Sequence, residues 1–246
     1  MRMNPQITYV YPYYNNALMF VEQQRVWGNY SQDVRNRVEM IVTDDCSPRA
    51  PARFFVQDPR NFNLKLYRIG VDIRWNWIAA KNLGAHHAAE DSWLFLTDID
   101  HVIPELTVRA LLDRLDRGKL DQDRYYTFDR VDAPGLTPYK THPNTYFMHR
   151  SLFWRIGGYD EDLSGFYGTD GYYRALVERV CRRKEFRVPD VYVIRYPREV
   201  ISDSSTTDYK RKEPVDSSPR KKEIMKTKLR EGLPPKALSF PWERVL

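Results

Sequence analysis

The sequence predicts an α/β fold, a Rossmann-like and mostly parallel central sheet flanked by helices, and three observations predict it. Short apolar runs alternate with helix-like stretches from Ile7 to Gly118, the order that builds strand–helix–strand units. Two of those runs end in acidic clusters, Asp44 with Asp45 and Asp98 with Asp100, and sheets of this kind bind ligands at the carboxyl ends of their strands. At 246 residues and 42% hydrophobic composition, the chain is long enough to bury one substantial core. The expected division is a main domain over residues 1–200 and a basic C-terminal extension over 201–246.

Ile7 to Tyr11 is β-rich and apolar, the pattern of a buried first strand, and it stops at Pro12 with Asn15 and Asn16 placed as candidate helix caps. After a polar helical stretch, Glu39 to Thr43 gives a second strand, broken by the polar loop Asp44 to Pro48. Leu64 to Ile69 is a third strand, and the alanine-rich, proline-free segment Trp75 to Ala89 the helix that follows it. The four-residue run Trp93 to Leu96 is too short for a helix and reads as a central strand ending at Thr97, Asp98, Ile99 and Asp100. Pro104 suits a first helical turn, and Val108, Leu111, Leu112 and Leu115 keep i, i+3, i+4, i+7 spacing until Gly118. Beyond an expected strand at Tyr125 to Phe128, the loop with Pro134, Gly135 and Pro138 and the aromatic segment Tyr146 to Tyr173 are less regular. Arg187 to Tyr196 reads as another strand, Ser202 to Asp208 as an exposed or mobile loop, and Ser218 before Pro219 as the cap of a basic helix ending near Gly232.

Composition excludes several classes. No apolar stretch approaches the length of a membrane span, and the first residues, MRMNPQITYVYPYY, lack the apolar run of a secretory signal, so the expected compartment is the cytoplasm. Cys46 and Cys181 form no CxxC pair and support neither a disulfide framework nor a zinc site. The net charge of +6 is local: Tyr209 to Leu246 carries 11 Lys plus Arg against 5 Asp plus Glu, which leaves the first 208 residues balanced.

Asp98 and Asp100 lie two apart at the end of an extended segment, so their carboxylates leave on one side and can approach one cation together. A hard divalent ion with open positions, Mn2+ or Mg2+, is what a diphosphate needs; a surface or capping role is the alternative for the bare tripeptide. For Asp44 and Asp45 the alternatives are turn chemistry and hydrogen bonding to the base or ribose of a nucleotide. Further on stand Gly157-Gly158-Tyr159-Asp160-Glu161 and Gly165-Phe166-Tyr167-Gly168-Thr169-Asp170. Their glycines let a loop fold closely on a ligand, and Tyr159, Phe166 and Tyr167 offer flat faces to a sugar or base. Asp170 fits a general base, and no serine or cysteine nucleophile motif competes with it.

Taken in order, ITYVYPYYN, EMIVTDDCSP, WNWIAAKNLGA, WLFLTDID and RIGGYDEDLSGFYGTDGYYRAL resemble the family 2 nucleotide-sugar glycosyltransferases of GT-A fold over about residues 7–180. The resemblance implies that Asp44 and Asp45 hold the nucleotide base and ribose, that Lys81 and Asn82 lie near the diphosphate, and that Asp100 is the main metal ligand with Asp98 supporting it. It also implies that Asp170 is the catalytic base of an inverting transfer from a nucleotide-sugar donor, UDP-linked by family habit. Two residues depart from the pattern, Cys46 for a usual glycine and Thr169 for a usual glutamate, which points to an unusual acceptor. His101, His142 and His149 are candidates for a third metal ligand, with structural roles as the alternative. A nucleotidylyltransferase lacks support, because Tyr11 to Asn16 has no glycine-rich phosphate loop; a binding module without turnover is the other rival. For the acceptor, the basic tail suggests a nucleic acid, with Trp154, Tyr172 and Tyr173 available to stack on a base, or else an anionic membrane surface. Either partner predicts salt-sensitive binding that weakens when Lys221 and Lys222 are neutralised. A glycan or a lipid-linked acceptor is the remaining alternative.

Overall fold

A computed structural model describes residues 5–57, 63–186, 191–205 and 219–246. Its first strand, β1 (Ile7–Tyr13), is buried along its whole length. The period of two sends Ile7, Tyr9, Tyr11 and Tyr13 into one core and Val10 into a second, as a strand sandwiched between two helical layers requires. The chain continues through α1 (Ala17–Gly28), α2 (Gln32–Arg35), β2 (Val38–Asp44), β3 (Leu64–Ile69), α3 (Trp77–His87), β4 (Trp93–Leu96), β5 (His101–Val102) and α4 (Glu105–Asp116). There follow β6 (Arg124–Asp132), β7 (Thr137–Tyr139), β8 (Tyr146–His149), α5 (Arg150–Ile156), α6 (Asp170–Val180), β9 (Arg182–Phe186), β10 (Tyr192–Arg195), α7 (Pro219–Glu231) and β11 (Trp242–Arg244).

The sheet runs β11-β3-β2-β1-β4-β8-β6-β10-β5, with β7 and β9 also paired to β6. The contiguous set β3, β2, β1 and β4 is parallel. The chain steps outward from β1 to β3 and then returns through α3 to lay β4 on the other side of β1. That reversal opens a crevice at the carboxyl ends of β1 and β4. Beyond β4 the sheet is mixed: β8 is antiparallel to β4 and to β6, while β10 is parallel to β6 and antiparallel to β5. The expected fold class is thus the one found.

Phe20 and Trp27 of α1 and Val108 and Leu111 of α4 cover one face of the sheet; Leu83 of α3, Phe153 of α5 and Val177 of α6 cover the other. The approach of α3 is close enough that a Cβ at Gly84 would stand 2.6 Å from Val10 Cγ1. Only glycine fits between that helix and β1.

Several expectations need correction. Neither Asn15 nor Asn16 caps α1 through its side chain; instead Asp203 accepts hydrogen bonds from Leu18 N (2.7 Å) and Met19 N (2.9 Å), satisfying two of the orphan donors of the first turn. Asp203 and Ser204 are therefore buried, so of the expected exposed loop only Ser202 is exposed, Asp203 and Ser204 are packed and Ser205 is half-buried; its residues 206–208 lie outside the described residues. Of the expected strand Arg187 to Tyr196, β10 covers Tyr192 to Arg195, and residues 187–190 lie outside the described residues, as does the expected cap Ser218. The C-terminal residues pack on the body. β11 extends the sheet antiparallel to β3, and α7 sends Lys228 Nζ to Asp160 Oδ2 (2.7 Å) and Lys221 Nζ to the Tyr167 carbonyl (2.6 Å).

Candidate active site

A cavity of about 300 Å³ opens at the crevice beside β1 and β4, at the lower end of the size range for small-ligand sites. Asp45, Asp98, Asp100 and Asp170 all line it. Asp45 reaches it because its backbone N–H donates to Tyr13 O (2.9 Å), tying the loop after β2 to the end of β1. Asp44 does not line it. Its carboxylate accepts from Ser47 N (2.7 Å), Ala52 N (2.9 Å) and Arg68 Nη1 (3.0 Å), which is turn chemistry. Arg68 also reaches the Ser47 carbonyl (3.3 Å) and Cys46 Sγ (3.8 Å). Cys46 has φ 55, the left-handed conformation that makes glycine the easier residue there.

Lys81 and Asn82 lie behind the cavity wall. Lys81 is 0% exposed; its ammonium sits 2.9 Å from Asp98 Oδ1 and donates to the Asn144 carbonyl (3.1 Å). The Asn82 amide donates to Tyr159 O and Glu161 Oε1, both at 2.8 Å, and accepts from Tyr159 N (2.8 Å). Lys81 therefore touches the site through Asp98, whereas Asn82 braces the loop after α5.

The two central carboxylates are held differently. Burial pushes the Asp98 carboxyl up, but the Lys81 ammonium, helped by His142 and His101, outweighs it and holds Asp98 well below the usual carboxylate range. Burial and the nearby Asp98 charge push Asp170 above that range. Asp170 opens α6 and takes a side-chain hydrogen bond from Asn144.

Around them the imidazoles are committed. His101 Nε2 is 3.0 Å from Arg130 Nη1, which can only donate; the proton therefore belongs on His101 Nδ1 and is given to Asp100 Oδ1 at 2.7 Å. His142 stacks on His101 with ring centroids 4.2 Å apart. Burial and the neighbouring His101 push it down to about 4, so it is neutral at pH 7. Its Nδ1 is 2.9 Å from Thr145 Oγ1, which is 2.8 Å from Thr97 Oγ1, and its Nε2 faces Asp98 Oδ2 at 3.4 Å. His149 stands opposite Trp93 at the far end of β4 and caps α5, so it is no candidate ligand.

The expected aromatic surfaces are mostly core. Tyr159, Tyr172 and Tyr173 are buried, with Tyr159 stacked on Tyr173 at 3.8 Å, and so cannot receive a sugar or a base. Tyr167 does line the cavity, against Trp75 at 4.9 Å. Thr169 is buried and does not line it. Sequence reasoning missed Trp75, Asn144, Arg130 and Arg195, all of which line the cavity. For the arginines no signal was present, because they come from β6 and β10 and meet only through the pairing of those strands.

The model of glycosyl transferase family 2 matches residues 23–175, more than half of the chain and all four cavity carboxylates. The chain belongs to glycosyl transferase family 2. Among solved structures it is similar to S. aureus TarS 1-349 in complex with UDP-GlcNAc, with TM-score 0.65, 15% identity, and coverage of 82% of this chain and 61% of that one. It is also similar to the mannosyltransferase PcManGT from Pyrobaculum calidifontis in complex with GDP-Man and Mn2+, with TM-score 0.56, 19% identity, and coverage of 78% and 57%. At these identities the likeness carries the GT-A fold. The chain thus spans about three fifths of the length of these neighbours. No curated protein sequence matches it significantly.

Among the described residues no group of three or more His, Cys, Asp and Glu is spaced to hold a metal ion, and no helix is long and apolar enough to cross a membrane. The first finding is compatible with a divalent ion that takes one or two carboxylates from protein and the rest from substrate phosphates and water. Asp100 suits that part, since one of its oxygens has no protein partner among the described residues while His101 fixes the other. Asp98 is already paired with Lys81.

Proposed function

We propose that the chain transfers a sugar from a nucleotide-diphospho-sugar, UDP-linked in the first instance, to an acceptor hydroxyl with inversion. The observation that carries this reading is one cavity, at the strand-order reversal of a family 2 fold, lined by Asp45, Asp98, Asp100 and Asp170. Asp45 faces the nucleoside. Asp100, with Asp98 beside it, would hold a divalent ion, which when bound would supply neutralisation of the diphosphate charge. Lys81 fixes Asp98 in its ionised form, and His101 fixes the orientation of Asp100.

Asp170 takes the proton of the acceptor hydroxyl. The oxygen forms its bond to the anomeric carbon from the face opposite the nucleotide, and the bond from that carbon to the diphosphate breaks, its electron pair leaving with the nucleoside diphosphate. Burial and the Asp98 charge raise the Asp170 carboxyl, which makes it a better base than an ordinary aspartate.

A nucleic acid is the acceptor class supported by charge. Lys222, Lys226 and Arg230 are exposed and follow i, i+4 spacing on α7, so they form one cationic stripe. Lys221 is not part of it, because it is buried against Tyr167 O.

The test is release of nucleoside diphosphate from a panel of nucleotide sugars, with and without Mn2+, by wild type, Asp100→Ala and Asp170→Asn. Metal-dependent release lost in both variants, with donor binding retained by Asp170→Asn, is the expected result. Failure of the wild type to bind any nucleotide sinks the reading.

A further inference from the structure

The cavity does not end at the carboxylates. Past Asp100, two and three strands beyond β4, it is lined by Arg130 of β6 and Arg195 of β10. In register, Asp132 of β6 faces Arg195, and Arg195 faces His101 of β5. Arg130 lies two residues before Asp132 and so shares its face of the sheet. Both guanidinium groups lie against the ring of Tyr139, at 4.6 Å for Arg130 and 4.1 Å for Arg195.

The two charges are balanced unequally. Arg195 is held by Asp132 through two hydrogen bonds, 2.8 Å and 2.6 Å. Arg130 is only 5% exposed, yet its hydrogen bonds go to neutral acceptors, the Lys140 carbonyl (2.8 Å) and His101 Nε2 (3.0 Å). Among the described residues no carboxylate hydrogen-bonds to it, Asp100 and Asp132 balance its charge only through space, and its Nη2 donors have no protein acceptor. A charge so far removed from water is costly unless something balances it, and the neighbouring Arg195 adds to the cost. The unused donors of a planar fork, opening on a cavity, match an oxyanion of phosphate type.

Resting on the transferase reading above, we propose that Arg130 and Arg195 form a phosphate subsite for the acceptor, which therefore carries a phosphate group close to the hydroxyl that receives the sugar. The acceptor, not the donor, is assigned because of topology. The nucleoside side of the cavity lies at Asp45, over β2 and β1, and the arginines lie beyond Asp100 on the opposite side. The charge also deepens the nucleic-acid reading, since the subsite acts at the reacting hydroxyl while the stripe on α7 lies outside.

The experiment is a titration of the full chain, saturated with UDP or GDP, with inorganic phosphate, for wild type, Arg130→Gln, Arg130→Lys and Arg195→Gln. Circular dichroism and thermal melting check that each variant is folded. Wild type should bind phosphate while the nucleotide stays bound. Arg130→Gln should weaken phosphate about tenfold or more, as loss of a charge-assisted pair does. Arg130→Lys should recover part, through charge without the fork, and Arg195→Gln, whose partner is Asp132, should lose less. Arg130→Gln also frees His101, so Arg195→Gln is the variant that tests the charge while the His101–Asp100 hydrogen bond stays in place. Absence of phosphate binding to the nucleotide-saturated wild type, or binding unchanged in Arg130→Gln, overturns the proposal. So does a loss of UDP or GDP affinity in Arg130→Gln with uridine or guanosine binding unchanged, which would give the arginines to the donor. If neither nucleotide binds wild type, the donor reading fails separately, and the same variants titrated without nucleotide still report on the arginine pair.

Discussion

Asp98 and Asp170 line one cavity, yet their surroundings move their carboxyl groups in opposite directions. Asp98 is held low, so it contributes stability that is present above the ordinary carboxylate pKa and is lost as pH falls through its lower folded value. Lys81→Met should therefore destabilise the protein at neutral pH by about 2 kcal/mol, less than a fully buried pair would lose, since the Asp98 side chain is 34% exposed. Chemical denaturation measures the loss, and adding Asp98→Asn should restore part of it. Asp170 is held high, so its ionisation opposes folding as pH rises through the ordinary carboxylate range toward its folded value. Asp170→Asn should then raise the melting temperature at pH 7, by roughly 2–4 °C for each kcal/mol relieved, while slowing transfer about 10²- to 10⁴-fold. Below the ordinary carboxylate pKa the gain in melting temperature should vanish, because Asp170 is then protonated in both states. The activity of the wild type should fall on acidification with a midpoint above that of an ordinary aspartate. The carboxylates themselves were legible in the sequence, since a strand ending and a two-residue spacing locate them. Which of them faces the cavity was not. Asp44 and Asp45 are neighbours, and only the bonds from Ser47, Ala52 and Arg68 decide that Asp44 turns away.

At the scale of elements, the parallel strands were readable because each is a short apolar run with a polar break, while β5, β7 and β11 are two or three residues long and exist through their pairing. The cap of α1 was beyond reach for a similar reason: the residue that caps it, Asp203, lies 184 positions from Met19, and capping rules look only at neighbours. Asp203 also anchors the segment whose Ser204 and Ser205 line the cavity. Asp203→Ala should cost about 1–2 kcal/mol through the lost cap and raise KM for donor or acceptor more than it lowers kcat, because the rim loosens while Asp100 and Asp170 keep their places. Steady-state kinetics with denaturant melts on the same preparation check both parts; unchanged KM with the expected loss of stability would confine Asp203 to the helix. The glycine-rich loop after α5 carries the same lesson. Its glycines were read as letting the loop fold on a ligand, but Asp160 receives Lys228 and the Lys236 backbone, and Glu161 receives Leu238 N (2.8 Å) and Ser239 N (2.6 Å). The motif fastens the C-terminal segment to the domain.

For the molecule as a whole, that fastening changes what the positive end of the chain can do. A free basic tail would offer every lysine to a polyanion, but Lys221 and Lys228 are turned inward, and β11 fixes the far end of the segment to β3. What remains on α7 for a partner is the row Lys222, Lys226 and Arg230, held rigidly relative to the cavity because Lys221 on the same helix grips the Tyr167 carbonyl beside Gly168 and Asp170. On the proposed nucleic-acid reading, the stripe and the guanidinium pair of the cavity would be two grips on one polyanion. Neutralising Lys222, Lys226 and Arg230 to Gln should lower the affinity for DNA at all sequences alike and reduce the slope of log K against log salt by about 2 to 3, one increment for each phosphate that is no longer neutralised. Lys221→Gln should behave differently, with little change in the salt slope but slower transfer, because it releases the loop that carries Tyr167 toward Asp170. Equal effects of the two changes on the salt slope would mean that Lys221 leaves Tyr167 to meet the polyanion, and no salt slope in wild type would turn the search toward uncharged acceptors.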